Sequence, residues 1–220
     1  MIAAMGEWLT EDARQQLRAL GSARSLLERD TLFREADEPY DVFLVESGEL
    51  KLVTSAVNGT EVVLDVVGQG EVIGELSAID GATRSASAIA LTDVIVTAVR
   101  SDAFLRFLDD NPGSMRALFG LTIRRLRESN ARQLEYASAD ALGRVCHRLE
   151  DIAARSGSPA NEPTTIELGL TQAEFAQWCG LSREAVVKAF RKLRTLGWVD
   201  QEGGSVTLNE RVGLRARAAQ

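Results

Sequence analysis

The sequence predicts an α+β fold in which a β-rich domain, a long helix and a second, helix-rich domain follow one another. Three patterns lead to this prediction. Apolar segments with a period of two, separated by glycines, occupy residues 25–99, and apolar residues at three- and four-residue steps recur over 114–137. After residue 171, two short helical segments flank a glycine and precede a hairpin pattern. The 220 residues suffice for two domains that each bury a core.

The β-rich region is predicted to be a double-sheet jelly roll or a barrel, because glycines between short strands suit its tight corners. A short amphipathic helix over 7–20 precedes it. Residues 41–46 and 49–53 flank Ser47-Gly48, and we expect them to pair as a hairpin. Further strands are predicted at 61–67, 88–91 and 94–99.

A long helix is predicted after the β-rich region. Ser101 is expected to cap a short helix over 101–109, and Asn111-Pro112-Gly113 then breaks the chain. The long helix follows from Ser114 to about Ala137, so its ~24 residues span ~36 Å. A narrow apolar stripe on so long a helix is typical of pairing with a second copy of the chain. The stripe consists of Phe119, Ile123, Leu126, Asn130, Leu134 and Ala137.

The domain boundary is predicted at Ser138-Ala139-Asp140, where a break precedes a new helix cap. The helix that follows is expected to end near Ala154, and the loop after it covers 156–163. This division gives a β-rich domain, a long helix and a C-terminal domain at residues 1–112, 113–138 and 139–220.

The C-terminal domain carries the pattern of a winged helix-turn-helix. Thr171-Gln172-Ala173-Glu174 is a capping box, Gly180 suits a tight turn, and Ser182 caps a second helix that extends to Leu196. A hairpin over 198–208 would form the wing. The second helix would enter the major groove of DNA with its N-terminal residues at the base edges.

Charged residues of the second helix match the chemistry of base recognition. Arg183 can pair bidentately with guanine, Glu184 can accept from the cytosine amine, and Lys188 can reach guanine or phosphate. A solvated helix face would also carry such charges, but the cap, the turn glycine and the wing occur here in the order of the motif.

The stretch from Gly70 to Ser87 has the features of a pocket for a small anion. Gly74 precedes a short helical turn that begins at Glu75, and Arg84-Ser85 follows it. A glycine lets the backbone approach a ligand closely, an arginine supplies positive charge, and a serine adds a hydroxyl donor.

The charge of the chain is divided unevenly. The formal net charge is −7, yet residues 1–140 carry 14 basic and 23 acidic side chains, whereas residues 141–220 carry 11 basic and 9 acidic ones. This asymmetry favours an acidic sensing part and a mildly basic contacting part. Two unpaired cysteines, no secretory pattern and no apolar run of membrane-spanning length make a cytoplasmic protein the expectation.

The order of pocket, long helix and winged helix-turn-helix resembles the CRP/FNR family of homodimeric bacterial transcription regulators. The resemblance covers nearly the whole chain. It is most specific at Gly74-Glu75-Leu76-Ser77 with Arg84-Ser85-Ala86, and at Leu181-Ser182-Arg183-Glu184-Ala185-Val186. In such a dimer the recognition helices read successive major grooves of a roughly palindromic site.

By this resemblance the first motif is a phosphate-binding cassette for a cyclic nucleotide. Arg84 would neutralise the cyclic phosphate, Ser85 would donate to it, and Glu75 would accept from the ribose 2′-hydroxyl. Ser129 and Asn130 would contact the base, one of them from the partner subunit. The implied ligand site comprises Gly74, Glu75, Leu76, Ser77, Arg84, Ser85, Ala86, Ser129 and Asn130.

Cyclic AMP is the favoured effector, while cyclic GMP, another small anionic metabolite or a pocket without ligand remain alternatives. In the second motif, Arg183 and Glu184 match the base-reading pair of the family, and Lys188 replaces a second reading arginine. Thr171, Gln172 and Ser182 would donate to phosphates. Ser138 and Asp140 would form the hinge between the ligand-binding domain (the sensor) and the helix-turn-helix domain (the reader). RNA polymerase is an expected partner.

The sequence gives little support for an enzyme or for a metal-dependent protein. A single histidine, His147, rules out HExxH arrangements, and the sequence lacks a GxxxxGK[ST] loop. An iron–sulfur sensor needs about four cysteine ligands, and the chain has only Cys146 and Cys179. We therefore expect a regulator that is not an enzyme and holds no metal.

Overall fold

A computed structural model of the chain describes residues 9–55, 61–155, 158–159 and 162–219. The chain divides into an N-terminal unit that extends to Leu126 and a C-terminal unit that begins at Arg127. This division falls inside the long helix, between the predicted boundaries at 112 and 138. Each unit is described by itself below.

The strands of the N-terminal unit form two four-stranded antiparallel sheets. In spatial order, the first sheet contains β1 (Ser22–Leu26), β8 (Val94–Arg100), β3 (Asp41–Ser47) and β6 (Val72–Ile73). The second sheet contains β2 (Thr31–Phe33), β7 (Ser87–Ala90), β4 (Leu50–Ser55) and β5 (Glu61–Val67).

A core of small and branched apolar residues joins the two sheets. Phe43 and Val96 from the first sheet pack with Leu50 and Ala88 from the second, and all four are buried. No described strand pairs with a strand of the other sheet, so the architecture is a double-sheet jelly roll rather than a closed barrel. The predicted fold class is thereby confirmed, with the jelly roll as its form.

The predicted hairpin between β3 and β4 is wrong. The two strands are consecutive in sequence, but β3 pairs with β6 and β8, and β4 pairs with β5 and β7. The corner at Gly48 therefore carries the chain from one sheet to the other. Gly48 has a φ of +81°, and a Cβ there would collide with the Asp93 carbonyl, which explains the glycine.

Three described helices pack against strands of the first sheet: α1 (Glu11–Leu20), α2 (Glu75–Asp80) and α3 (Ser101–Asp110). Thr10 caps α1 by accepting from the Ala13 amide over 3.2 Å. Ser101 is not the predicted cap of α3, because it is the first helical residue and its hydroxyl donates to the Pro39 carbonyl. Arg100 occupies the cap position instead.

The long helix α4 (Pro112–Ser138) has two different apolar faces in its first half. Leu118 and Leu121 are buried against the N-terminal unit, in a cluster with residues of α1, α3 and the first sheet. Phe119 and Leu126 belong to the predicted stripe and are 65% and 60% exposed. The helix begins at Pro112, two residues before the predicted start, because proline is well suited to the first helical position.

Besides the end of α4, the described residues of the C-terminal unit form four helices and a small sheet. Its helices are α5 (Ala141–Arg155), α6 (Gln172–Cys179), α7 (Arg183–Thr195) and α8 (Arg211–Ala218). The sheet has the order β10-β11-β9, with β9 (Thr164–Glu167), β10 (Val199–Glu202) and β11 (Ser205–Leu208). The predicted helix-turn-helix and wing are both present.

Local chemistry explains where the helices of the reader begin and end. Thr171 accepts from the Glu174 amide while the Glu174 carboxylate accepts from the Thr171 amide, which completes the predicted capping box. Gly180 adopts the left-handed conformation at the turn, with a φ of 62°. Ser182 caps α7 by accepting from the Ala185 amide.

Two elements of this unit have no counterpart in the sequence predictions. Strand β9 directly follows Pro163 and is only four residues long. Helix α8 contains a glycine and three arginines, which obscure its apolar face. Burial of Leu214 and a two-pronged ion pair between Arg211 and Glu150 of α5 hold α8 in place.

Candidate functional site

A pocket of about 380 Å³, open to solvent, lies beside α2 in the N-terminal unit. All seven residues of the predicted cassette line it: Gly74, Glu75, Leu76, Ser77, Arg84, Ser85 and Ala86. Four residues that the sequence did not predict complete the lining: Phe33, Leu52, Ile73 and Arg125. The structure thus brings the two parts of the cassette to one cavity.

Arg84 is a buried cation in the wall of the pocket. The residue is 4% exposed, and its two terminal nitrogens donate to backbone carbonyls, Nη1 to Gly74 over 2.8 Å and Nη2 to Asp41. Its Nε is buried and has no hydrogen-bond partner among the residues that the structure describes. Burial lowers the pKa of the guanidinium, and the nearby carboxylates of Asp41, Glu75 and Asp37 oppose this shift.

Gly74 is required by the position of Arg84. It has a φ of +80°, and a Cβ at this position would collide with Nη1 of Arg84. A side chain here would therefore be strained in the backbone and would push the guanidinium away from the pocket wall. The glycine of the predicted cassette acts by admitting the arginine.

Glu75 is buried beside the pocket and is held by an arginine of the long helix. Nη1 of Arg125 donates to Oε1 of Glu75 over 2.6 Å, and Nη2 lies 4.0 Å from Oε1 of Glu71. Burial raises the pKa of the Glu75 carboxyl, while the charge of Arg125 opposes this shift. Arg125 therefore forms a hydrogen-bonded ion pair with Glu75 and lies at the limit of ion-pair distance from Glu71.

Arg125 is a charged residue of the pocket lining that the sequence predictions missed. In the sequence it is a charged residue next to Leu126 of the apolar stripe, which is the usual position of a solvated charge. The signal was its spacing, because Arg125 precedes Ser129 by one helical turn and so shares its face of α4. Only the packing of α4 on the N-terminal unit brings this side chain to Glu75.

The smaller cassette residues differ in their surroundings. Ser77 is buried and its hydroxyl donates to the Thr83 carbonyl over 3.2 Å, whereas Ser85 and Leu76 are exposed at the pocket. Ser129 and Asn130 are exposed on α4, in the C-terminal unit. Their contact with a ligand stays a prediction.

The predicted DNA-reading residues are exposed around the start of α7. Arg183, Glu184 and Lys188 point away from the core, and Nη2 of Arg183 lies 3.4 Å from Oε1 of Gln172, to which it donates. The Glu184 backbone amide and the Ser182 hydroxyl lower the pKa of the Glu184 carboxyl, so this side chain is ionised at neutral pH. The arrangement offers one anion and several cations on one helix.

The capping residues of the reader have limited freedom to contact DNA. The Thr171 hydroxyl donates to Glu174 over 2.8 Å, so its predicted donation to a phosphate requires that this bond be given up. The Ser182 hydroxyl accepts a hydrogen bond from the Ala185 amide and donates one to the Glu184 carboxylate. Phosphate contacts by both residues stay predictions.

Asp140 of the predicted hinge caps α5. Its Oδ1 accepts from the Gly143 amide over 2.9 Å, and its Oδ2 accepts from Arg217 of α8. These contacts, the amide first, lower the pKa of the Asp140 carboxyl. The cap agrees with the predicted break, while the side chain of Ser138 lies outside the described residues.

The two cysteines are buried, and the histidine lies beside an acidic residue of its own helix. Cys146 and Cys179 are buried, and burial raises the pKa of the Cys146 thiol to about 12, which keeps it protonated. His147 lies on α5, with Nδ1 3.3 Å from Asp151. In the described ranges, no group of three or more His, Cys, Asp or Glu side chains is placed to hold a metal ion.

Hydropathy of the helices gives one further fact. Within the part of the chain that the structure describes, every helix is too short or too polar to cross a membrane.

Comparison with known proteins agrees with both halves of the fold. The family model for cyclic nucleotide-binding domains matches residues 23–111, and the one for Crp-like helix-turn-helix domains matches residues 143–217. A CRP-like cAMP-activated global transcriptional regulator of Mycobacterium tuberculosis is 33% identical over 189 residues, which are 85% of this chain and 84% of the relative.

Two solved structures extend the comparison to the fold. FixK2 from Bradyrhizobium japonicum superposes with a TM-score of 0.81 at 20% identity, over 91% of this chain and 98% of that one. The catabolite activator protein of Thermus thermophilus has a TM-score of 0.55 at 26% identity and covers 99% of both chains. The chain therefore belongs to the CRP/FNR family of transcription regulators, which join a cyclic nucleotide-binding domain to a DNA-binding helix-turn-helix domain.

Proposed function

We propose that this chain is a homodimeric transcription regulator whose binding to DNA is strengthened by cyclic AMP. The observation that carries the proposal is the Arg84 guanidinium. It is a buried cation, and among the described residues no carboxylate lies within 4.0 Å of its nitrogens. A singly charged phosphate bound beside it would supply the missing counter-charge.

The remaining pocket residues suit the other parts of a nucleotide. Glu75 would accept from the ribose 2′-hydroxyl while it keeps its ion pair with Arg125. Ser129 and Asn130 would bond the base, one of them from the partner subunit. The relative from Mycobacterium tuberculosis is named as cAMP-activated, which supports cyclic AMP over cyclic GMP.

The proposed dimer uses the exposed stripe of α4. Met115, Phe119 and Leu126 are large apolar side chains with substantial exposure on one helix. Exposed apolar surface of this extent marks an interaction site more often than a solvated face. A second copy of the chain would cover the stripe and bring its own Ser129 or Asn130 to the pocket.

The reader is proposed to act through α7 in successive major grooves of a roughly palindromic site. Arg183 and Glu184 would read base edges, and Lys188 would reach guanine or phosphate. Thr171, Gln172 and Ser182 would position the helix on the backbone. The protein would work in the cytoplasm and contact RNA polymerase at its promoters, as the family resemblance implies.

The switch is proposed to operate by differential affinity. A ligand that bonds both the cassette and the helix α4 would favour one packing of the paired helices, and Ser138 and Asp140 would absorb the change. The ligand would then bind the DNA-competent state more tightly, and DNA would in return tighten ligand binding.

Isothermal titration calorimetry of the purified protein tests the ligand. Cyclic AMP is expected to bind, cyclic GMP to bind more weakly, and adenosine, which lacks the phosphate, to bind at least 100-fold more weakly than cyclic AMP. Arg84→Ala should remove cyclic AMP binding, and Arg106→Ala, which changes an exposed arginine of α3, should not. Equal affinity for cyclic AMP and adenosine would refute the phosphate assignment.

A second candidate is a regulator of the same fold that recognises a different small anion. The observation that favours it is the buried Arg84 guanidinium, whose positive charge would suit any small anion and does not specify the rest of the ligand. A thermal-shift screen of mononucleotides, cyclic dinucleotides and carboxylated metabolites separates the two, because a ligand that binds the folded state raises the melting temperature.

A further inference from the structure

The Arg84 guanidinium is stacked on an aromatic pair. Its Cζ lies 4.6 Å from the centroid of the Phe33 ring and 5.9 Å from that of Phe43. The two rings are themselves stacked, with centroids 5.7 Å apart and an interplanar angle of 20°. The face of Phe33 thus lies close to the buried positive charge and compensates it without a hydrogen bond.

Backbone pairing fixes the relative position of the two side chains. The Ala36 amide donates to the Arg84 carbonyl over 2.8 Å, and the Arg84 amide donates to the Asp37 carbonyl over 2.9 Å. Phe33 lies at the end of β2, opposite Ala88 of β7. The loop after Phe33 and the segment before β7 are therefore joined side by side, with the ring and the guanidinium on the pocket.

Phe33 has a distinct place among the pocket residues. It lines the cavity, and its partly buried ring also packs on the core between the two sheets. Leu52 shares both properties, but it is aliphatic and offers no aromatic face to the Arg84 guanidinium, which lies over the Phe33 ring. This difference separates a role through the arginine from a role as pocket wall.

The contacts leave Arg84 held by dipoles rather than by an opposite charge. Two backbone carbonyls bind the terminal nitrogens and the ring covers one face, while in the described part of the chain Nε finds no hydrogen-bond partner. An arginine has several rotatable bonds, and ordering it at the moment of binding would weaken affinity. A ring that fixes the guanidinium beforehand avoids this loss.

We propose that Phe33 is a positioning residue that holds the Arg84 guanidinium against the pocket wall, so that the ligand phosphate meets an ordered cation. The inference rests on the proposed function and deepens it by naming what sets the strength of phosphate recognition. Phe43 supports the stack from within the core, where it is 3% exposed.

Calorimetric titration with cyclic AMP tests the proposal with matched variants. Phe33→Leu keeps apolar bulk but removes the ring face, so its dissociation constant is expected to rise about tenfold. Phe33→Tyr keeps the face and should stay within about threefold of the unchanged protein. Leu52→Ala trims the apolar pocket wall but keeps the ring, so its dissociation constant should rise less than that of Phe33→Leu.

A double-variant comparison isolates the route through the arginine. In an Arg84→Lys background the planar guanidinium is absent, so adding Phe33→Leu should weaken cyclic AMP binding much less than it does in the unchanged protein. If Phe33→Leu weakens binding equally in both backgrounds, or no more than Leu52→Ala does, the positioning role is overturned.

Nuclear magnetic resonance of the arginine Nε–Hε groups gives a readout that needs no ligand. The Arg84 signal, identified by its loss in Arg84→Lys, is expected to be displaced by the ring current and to exchange slowly with water, because its Nε is buried. Phe33→Leu should remove the displacement, and Leu52→Ala should keep it. An unchanged signal in Phe33→Leu would overturn the proposal.

The two tests fail in different ways. If the unchanged protein binds no cyclic nucleotide, the proposed ligand is wrong, while the Nε–Hε signal still decides whether Phe33 positions Arg84. If the unchanged protein binds cyclic AMP and Phe33→Leu binds it equally well, the proposed function stands and the positioning role falls.

Discussion

The pocket of the N-terminal unit and the recognition helix of the C-terminal unit carry similar charged residues in opposite surroundings. Arg84 and Glu75 are 4% and 2% exposed and are held by specific partners. Arg183, Glu184 and Lys188 are exposed; Arg183 makes a long contact with Gln172, and the Glu184 carboxylate accepts from the Ser182 hydroxyl. The same residue types are fixed in place in one region and left available to solvent and DNA in the other.

The difference determines how each region responds to change. A buried charge that loses its partner has no water to replace it, so a single substitution in the pocket has a large effect. An exposed charge is screened by salt and solvated when alone, so each residue of the reader contributes modestly and its contribution falls with ionic strength. The predictions below test this contrast in order of expected size.

Arg125→Leu is predicted to have the largest effect on stability. The substitution leaves the Glu75 carboxylate buried without its ion pair, which should lower the free energy of unfolding by about 3 kcal/mol. Arg124→Leu, at the exposed neighbouring position, should change it by less than about 0.5 kcal/mol. Urea unfolding measures both, and similar losses from the two variants would show that the Glu75 contact is unimportant.

Arg183→Ala is predicted to weaken specific DNA binding by about 10- to 100-fold and to relax the base preference at one position of the half-site. The free energy of unfolding should hardly change, because the side chain is exposed. Fluorescence anisotropy at several salt concentrations measures the affinity. A uniform loss across all DNA sequences would instead assign Arg183 to a phosphate.

Stability should depend on pH in opposite ways at the two sites. Burial raises the pKa of Glu75 above its ordinary 4.5. The contribution of Glu75 to the free energy of unfolding, measured against Glu75→Gln, therefore declines as pH rises from 4.5 through the pKa of the folded state. The pKa of Asp140 is lowered below 3.8, so its contribution relative to Asp140→Asn is lost as pH falls through that range.

Urea unfolding between pH 3 and pH 8 checks these two slopes. The difference between the unchanged protein and Glu75→Gln should shrink toward high pH, and the difference from Asp140→Asn should shrink toward low pH. Parallel curves for the unchanged protein and Glu75→Gln would contradict the burial of an ionisable group at this position.

Ala36→Gly is predicted to have the smallest effect. Ala36 has a φ of +68°, which costs an alanine about 1 kcal/mol, and its amide bonds the carbonyl of Arg84. Glycine should stabilise the fold by about 0.5 kcal/mol after its larger loss of chain entropy. Arg29→Gly, with a φ of +73° away from the pocket, is the matched control, and destabilisation in both variants would contradict the strain.

Features fixed by short stretches of chain were predictable from the sequence. The capping box at Thr171 and the turn at Gly180 follow from residues that are neighbours along the chain. The gathering of the cassette residues around one pocket was predictable for a similar reason. Gly74 permits the left-handed backbone conformation before α2, and Arg84 supplies the positive charge that an anion pocket needs. The structure adds that Gly74 serves by making room for Arg84.

Features that depend on packing between distant segments escaped prediction. The strands β3 and β4 have the pattern of a hairpin, yet the double-sheet core separates them because each strand finds other partners. Arg125 has the sequence context of a solvated charge, and only the packing of α4 brings it to Glu75. Likewise, the stacking of Phe33 on Arg84 depends on pairing of the loop with the cassette.

The central claim is that a phosphate bound at Arg84 controls DNA binding by the reader. Its most direct test is the affinity for a palindromic duplex, selected from random DNA by the unchanged protein, with and without cyclic AMP. The nucleotide should raise the affinity of the unchanged protein and of Arg106→Ala at least fivefold, and should leave that of Arg84→Ala unchanged. An equal response of Arg84→Ala to cyclic AMP would contradict the account.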